Sequence, residues 1–226
     1  MTISELDNPF WYSLQSRHHD IALRSGDVAR FPAKYAPFLG VAHADVNAAE
    51  ALAILLAPEE SVYLLGVAPA LNDDWQIQTF RPLAQMICEV PLAMIAGPEI
   101  IQLSEQHRAD VLALTARVYP HYFRHRTMEL GRYFGIYQNG KLAAMIGERM
   151  GTDMHQEISA VCTDPDFSGR GYARQLLAFL SNDTIERKRL PFLHVSYENS
   201  RALSLYEKMG YRIRRDIPFY ALHRKA

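Results

Sequence analysis

Val161-Cys162-Thr163-Asp164-Pro165-Asp166-Phe167-Ser168-Gly169-Arg170-Gly171-Tyr172-Ala173-Arg174 is the stretch on which the reading of this chain turns. It joins an apolar run of strand length to a helix. Pro165 cannot donate to a strand ladder, so the strand ends there. Ala173, Leu176, Leu177, Leu180 and Thr184 then fall on one helical face. Gly169 and Gly171 lack Cβ atoms and let backbone N–H groups come close to an anion. The first N–H groups of the helix have no internal acceptor, and the helix dipole adds to their pull. Arg170 and Arg174 bring positive charge to the same place. The segment reads as an anion-binding turn.

Two common phosphate loops do not fit. A P-loop needs Gly, four residues, then Gly-Lys-Ser/Thr, which is absent. A dinucleotide fingerprint needs a third small residue where Arg174 stands, and an acid at the end of the next strand. Leu193-His194-Val195 offers none.

Outward from the loop, residues 132–138 and 141–150 read as strands joined by Asn139-Gly140, a strong hairpin signal because both residues accept positive φ. Residues 155–163 form the next strand, after a turn at Gly151-Thr152-Asp153. Beyond the loop helix, residues 191–196 are strand-like. Residues 199–209 make a short helix stopped by Gly210. Residues 211–215 and 218–223 finish as strands. Upstream, Ser104 is an N-cap for a helix to about Val118, with Val111, Leu112, Leu114, Thr115 and Val118 as its apolar stripe. An aromatic loop, Tyr119-Pro120-His121-Tyr122-Phe123, follows it. The second half therefore reads α-β-β-β-α-β-α-β with room for one more strand, a mixed α/β fold.

The first hundred residues are aromatic-rich and carry no motif. A helix is expected over 44–57, ended by Pro58, with strands over 61–66, 76–80 and 85–89. Residues 90–101 are apolar but broken by Pro91, Gly97 and Pro98, and the boundary is placed there: residues 1–98 form an N-terminal α/β domain and 99–226 the domain that carries the anion-binding turn.

The chain has 226 residues, 49% hydrophobic and 22% charged, with a formal net charge of -1. That balance argues against general nucleic-acid binding. Residues 1–9 lack the basic start of a signal peptide. No run reaches the ~18 apolar residues of a membrane span. A cytoplasmic protein is expected. Cys88 and Cys162 lie in separate strand-like runs and read as buried thiols in a reducing compartment. No Cys/His spacing suits zinc, and no metal is expected.

Ser168-Gly169-Arg170-Gly171-Tyr172-Ala173 resembles the Arg/Gln-x-x-Gly-x-Gly/Ala loop of the GNAT superfamily of N-acetyltransferases, with Ser168 in place of the opening Arg/Gln. Asn199-Ser200-Arg201-Ala202-Leu203-Ser204-Leu205-Tyr206-Glu207-Lys208-Met209-Gly210-Tyr211 resembles the family's second signature, N-x-x-A-x-x-L-Y-x-x-x-G-F/Y. Gly147-Glu148-Arg149-Met150 with Glu157-Ile158-Ser159 is similar to the FR47-like branch, related to glycine N-acyltransferases. The likeness spans roughly residues 103–226, and in such relatives the N-terminal half tends to be a degenerate copy of the same fold. It implies transfer of an acyl group, acetyl above all, from coenzyme A to a primary amine, without a metal. Val161, Cys162 and Thr163 would border the pantetheine arm. Gly169, Arg170, Gly171, Tyr172, Ala173 and Arg174 would hold the pyrophosphate, and Asn199 would contact the pantetheine. Tyr206 would be the general acid, the Val161 N–H would polarise the carbonyl, and Glu157 and Glu148 are the carboxylates available as base.

Each residue also has a plain structural reading. Asn199 is a good N-cap, Tyr206 sits at core spacing with Leu203 and Met209, and Glu148 has Arg149 beside it. His155 and His194 read as structural. Arg126 and Thr127 are further residues that could face the acceptor. A non-catalytic acyl-CoA-binding module is the rival reading. From Asp164 onward twelve basic residues stand against seven acidic ones, which suits the phosphates of coenzyme A and equally an RNA surface. The partner expected is a small-molecule amine or amino acid, with no nucleic acid and no membrane; monomer and homodimer both stay open.

Overall fold

The computed structural model describes residues 4–118 and 120–225; Tyr119 of the expected aromatic loop lies outside the described residues. In the first half come helix α1 (Pro9–Gln15), strands β1 (Leu23–Ser25), β2 (Val28–Arg30) and β3 (Leu39–Val41), helix α2 (Ala49–Leu55), and strands β4 (Ser61–Leu65), β5 (Trp75–Thr79) and β6 (Leu83–Ile87). Then follow β7 (Ile101–Leu103), α3 (Arg108–Val118), β8 (Tyr133–Gln138), β9 (Lys141–Gly151), β10 (His155–Thr163), α4 (Tyr172–Glu186), β11 (Leu190–Ser196), α5 (Ser200–Met209), β12 (Arg212–Ile217) and β13 (Phe219–Arg224).

The main sheet has seven strands in the order β12-β6-β11-β10-β9-β8-β7. Its neighbours are antiparallel except β10 and β11, whose parallel pairing requires the crossover that α4 provides. The hairpin between β8 and β9 turns through Asn139 and Gly140, with φ of 53° and 75°, as a tight primed turn demands.

Strand alternation sorts the residues of β9 between two layers. Ala144 and Ile146 join Leu176, Leu177 and Leu180 of α4 in one core. Met145 turns the other way, to Val111 and Leu114 of α3. Glu148 and Arg149 continue this alternation and therefore part company.

Backbone pairing crosses the expected boundary near Pro98 twice. β6, from the first half, lies between β11 and β12. β13, from the second, is the central strand of a sheet ordered β4-β13-β5. The connector itself has no helix or strand before Ile101, and it is fastened along α4. Asn182 accepts the Leu92 N–H at 2.7 Å and donates back to the Leu92 carbonyl at 2.9 Å. Gln175 donates to the Pro98 carbonyl at 2.7 Å.

The helix expected over 44–57 is shorter. Residues Val46 to Ala48 bridge to Ala70 instead, through Ala48 N–H to the Ala70 carbonyl at 3.3 Å and Ala70 N–H to the Val46 carbonyl at 3.0 Å. Helix α1 and the small antiparallel sheet β1-β2-β3 had no expectation attached. No described helix is long and apolar enough to cross a membrane.

Candidate active site

The site begins where the main sheet comes apart. β10 and β11 pair over three residues only, ending at Glu157 opposite Phe192, although β10 runs on to Thr163 and β11 to Ser196. Within β10 the register to β9 shifts between Ser159 and Cys162, and Ala160 takes a φ of 50°. Such a bulge bends its strand and breaks the ladder. The result is a cleft of about 820 Å³ between the parting strands.

One end of the cleft is the loop. Asp164 accepts the Asp166 N–H at 2.9 Å and caps a single 3₁₀ turn over Pro165–Phe167. Arg117 of α3 holds the Asp164 carboxylate with two contacts of 2.9 Å. Phe167 is buried, and the Arg170 guanidinium lies 5.1 Å from its ring centre. Gly169 and Gly171 have φ of 79° and 81°, and a Cβ at either would point into open space. The first bond of α4 runs from the Gln175 N–H to the Gly171 carbonyl, so the N–H groups of Tyr172, Ala173 and Arg174 have no intrahelical acceptor.

α5 forms the facing wall. Asn199 accepts the Ala202 N–H at 3.1 Å and so caps it, while also lining the cleft. Arg201, Tyr206 and Lys208 line it too. Among the described residues Arg170, Arg174, Arg201 and Lys208 form no ion pair, so four uncompensated cations gather at this end. Together with the helix N–H groups they fit a polyphosphate.

The other end is different. Glu157 is the one acid among the described lining residues, and it is 1% exposed. Arg149 grips it through Nε and a terminal nitrogen, both at 2.8 Å. His194 Nδ1 lies 2.9 Å from the same carboxylate. Burial alone would raise the Glu157 pKa; the Arg149 charge and the hydrogen bonds from Arg149 and His194 outweigh it and hold the carboxylate well below the ordinary range.

Gln85 fixes the state of His194. Arg214 donates to Gln85 Oε1 at 2.8 Å, so the amide nitrogen must face the other way. That nitrogen donates to the Leu6 carbonyl at 2.7 Å and to His194 Nε2 at 3.0 Å. Nε2 is therefore the acceptor, and the ring proton sits on Nδ1, donated to Glu157. Around this group stand Phe10, Phe38, Leu65, Tyr122 and Phe219. Arg149 lies 4.8 Å over the Phe38 ring.

Val161, Cys162, Thr163, the loop from Gly169 to Arg174, Asn199, Tyr206 and Glu157 all line this one cleft. Glu148 does not. Strand alternation turns it to the α4 side, where Arg132 bonds it at 2.5 Å and also reaches Asp183 of α4. It is tied up in an ion pair behind the sheet and is unavailable as a base in the cleft. Arg126 pairs with Glu129, and Thr127 is buried against the Tyr35 carbonyl; neither lines the cleft. His155 bonds Glu5, a structural contact. His194, read from sequence as structural, belongs to the cleft, together with Arg149 and through Gln85. Long-range pairing of β6 with β11 brings Gln85 to His194, and the β9–β10 hairpin brings Arg149 to Glu157.

Comparison with known proteins agrees with this geometry. The family model for FR47-like proteins matches residues 133–219, from β8 to the start of β13. A protein of the GNAT family from Novosphingobium aromaticivorans superposes with a TM-score of 0.88 at 30% identity, over 99% of this chain and 100% of its own. A GCN5-related N-acetyltransferase from Kribbella flavida gives a TM-score of 0.63 at 15% identity, over 95% and 92% of the two chains, a likeness of fold. No curated protein matches this chain by sequence. A likeness that runs end to end at that identity leaves one assignment: the chain belongs to the GNAT superfamily of N-acetyltransferases.

Proposed function

We propose that the protein transfers an acetyl group from coenzyme A to a primary amine by direct attack of the amine. The observation that carries this reading is the polarity of one continuous cleft. Uncompensated cations and free helix N–H groups lie at one end, and a sealed, internally neutralised pair lies at the other. Coenzyme A supplies the activated thioester. The backbone of Gly169, Arg170, Gly171, Tyr172, Ala173 and Arg174 binds its pyrophosphate, with Arg170, Arg174, Arg201 and Lys208 adding charge. Val161, Cys162 and Thr163 border the pantetheine along the edge of β10 that no strand covers, and Asn199 borders it from α5. The Val161 N–H stabilises the developing oxyanion.

Tyr206 holds a proton at its hydroxyl for the departing sulfur. Its position on the cleft wall of α5 supports that role. Glu157 already accepts three hydrogen bonds and stays ionised well below neutrality, which makes it a weak base. Its part is to hold Arg149 and the His194 ring in place at this end of the cleft, and water in the cleft takes the proton. On this account the pH dependence of kcat/KM follows the pKa of the amine used.

The test is calorimetry with acetyl-CoA on the wild type and on Gly171→Glu, followed by thiol release with an amine panel. The substitution adds a negative side chain to the loop and forces it into a left-handed backbone. Micromolar binding lost in the variant is expected. Equal binding by both proteins refutes the loop assignment, and binding without turnover of any amine refutes the transfer.

A further inference from the structure

The acceptor end of the cleft narrows the choice of amine. A polyamine or an aminoglycoside needs carboxylates for its several charges. Among the described lining residues the only acid is Glu157, and its charge is already balanced by Arg149 at 2.8 Å. A free amino acid needs a cation for its carboxylate. Arg149 is committed to Glu157, while Arg170, Arg174, Arg201 and Lys208 belong to the phosphate end. What this end does offer is aromatic surface. Phe10 and Phe38 stack at 4.5 Å, Phe38 lies 6.1 Å from Tyr122, and Tyr122 lies 6.3 Å from Phe219. Phe10 and Phe38 are buried and form the floor; Tyr122 and Phe219 are half-buried and form the wall that a ligand meets.

From these facts we infer that the acceptor is an uncharged-bodied amine with an aromatic or bulky apolar group, an arylalkylamine in chemical class. The inference rests on the acyl-transfer reading above. The amine nitrogen points along β10 toward Tyr206, past the Glu157–His194 pair. The ring packs on Tyr122 and Phe219, edge to face or offset, as aromatic pairs prefer. Residues from the first half of the chain, Phe10 of α1 and Phe38 beside β3, complete the floor, which gives that half a place in acceptor recognition.

The experiment is thiol release from acetyl-CoA with 2-phenylethylamine, spermidine and glycine, on the wild type, Tyr122→Ser and Phe219→Ala. Burial of a phenyl ring predicts kcat/KM for 2-phenylethylamine about tenfold or more above that for spermidine and for glycine. Either wall variant should raise KM for 2-phenylethylamine by about fivefold or more while acetyl-CoA affinity, measured separately by calorimetry, stays unchanged; this readout also certifies that the variant is folded. Preference for spermidine or glycine, or no turnover of 2-phenylethylamine by wild type that binds acetyl-CoA, overturns the inference. A fourth arm offers benzoyl-CoA with glycine. Faster turnover there than with acetyl-CoA and 2-phenylethylamine assigns the aromatic wall to the acyl group and overturns it as well. Loss of acetyl-CoA binding altogether is the separate failure of the transfer reading.

Discussion

Replacing Glu157 with Gln tests the central claim about the cleft, that its one acid is an internally balanced part of a buried network. Gln keeps the shape of the side chain and removes the charge. Arg149, about a tenth exposed at its side chain, is then left buried without its counter-ion, and His194 loses a charged acceptor for Nδ1. Breaking one member of a buried pair typically costs about 3–5 kcal/mol. With a urea m-value of roughly 3 kcal/mol per molar, the unfolding midpoint should fall by roughly 1–2 M. Arg149→Met alone should cost a similar amount. The two together should cost less than their sum by about 2 kcal/mol or more, because the double variant leaves no charge stranded. The pH dependence has a definite sign. The Glu157 pKa is held down in the folded protein, so its contribution is fully present above the ordinary glutamate range and drains away as pH falls toward about 2. The stability gap between wild type and Glu157→Gln should therefore be constant from neutrality down to the glutamate range and close below it. A gap that persists unchanged at pH 3, or a double variant that is additive within about 0.5 kcal/mol, refutes the reasoning.

Tyr206→Phe should lower kcat by about 100-fold, within the range of a lost general acid, and leave acetyl-CoA affinity within about twofold; steady-state kinetics beside calorimetry separates the two. Burial pushes the Cys162 thiol up to about 12 and raises that of Cys88, so neither should react with a disulfide reagent at pH 8 until urea unfolds the chain; rapid labelling of native protein would contradict the packing. Raising the salt from about 0.05 to 0.5 M should weaken acetyl-CoA binding severalfold, because four uncompensated cations face the phosphates; salt-independent affinity would remove them from the site.

The second half of the fold was legible because its signals are local. Asn139-Gly140 marks its hairpin, Pro165 ends a strand, Gly210 in a left-handed conformation stops α5, and Leu176, Leu177, Leu180 and Thr184 of the expected face bury α4, while Ala173 lies half-buried at the cleft. The expected strand over 155–163 agrees residue for residue with β10. The first half was less legible for a physical reason. Its strands β1, β2 and β3 have three residues each, too short to show a period of two, and α1 is two turns long. Their order comes from partners far along the chain: β13 is the centre of the sheet that β4 and β5 edge.

The same distinction governs the cleft. The phosphate end is built by one continuous segment and one capped helix, so its residues declare themselves in order along the sequence. The acceptor end is assembled by pairing at distance. β6 brings Gln85 to His194, 109 positions away, and β9 brings Arg149 to Glu157 across a turn. There sequence supplied a list of carboxylates without a rule for choosing among them, and the choice between Glu148 and Glu157 came down to which side of one sheet each faces. Alternation along β9 sends Glu148 to Arg132 and α4 and sends its neighbour Arg149 to the cleft, where it meets Glu157. A one-residue slip in that register would exchange them, placing a carboxylate opposite Glu157 and an arginine against Asp183. The register between β9 and β10 shifts twice, first between Gln156 and Ile158, which bracket Glu157, and again between Ser159 and Cys162, where Ala160 has its positive φ. The opening that admits a substrate and the register that selects the acid are thus set by different residues of the same strand.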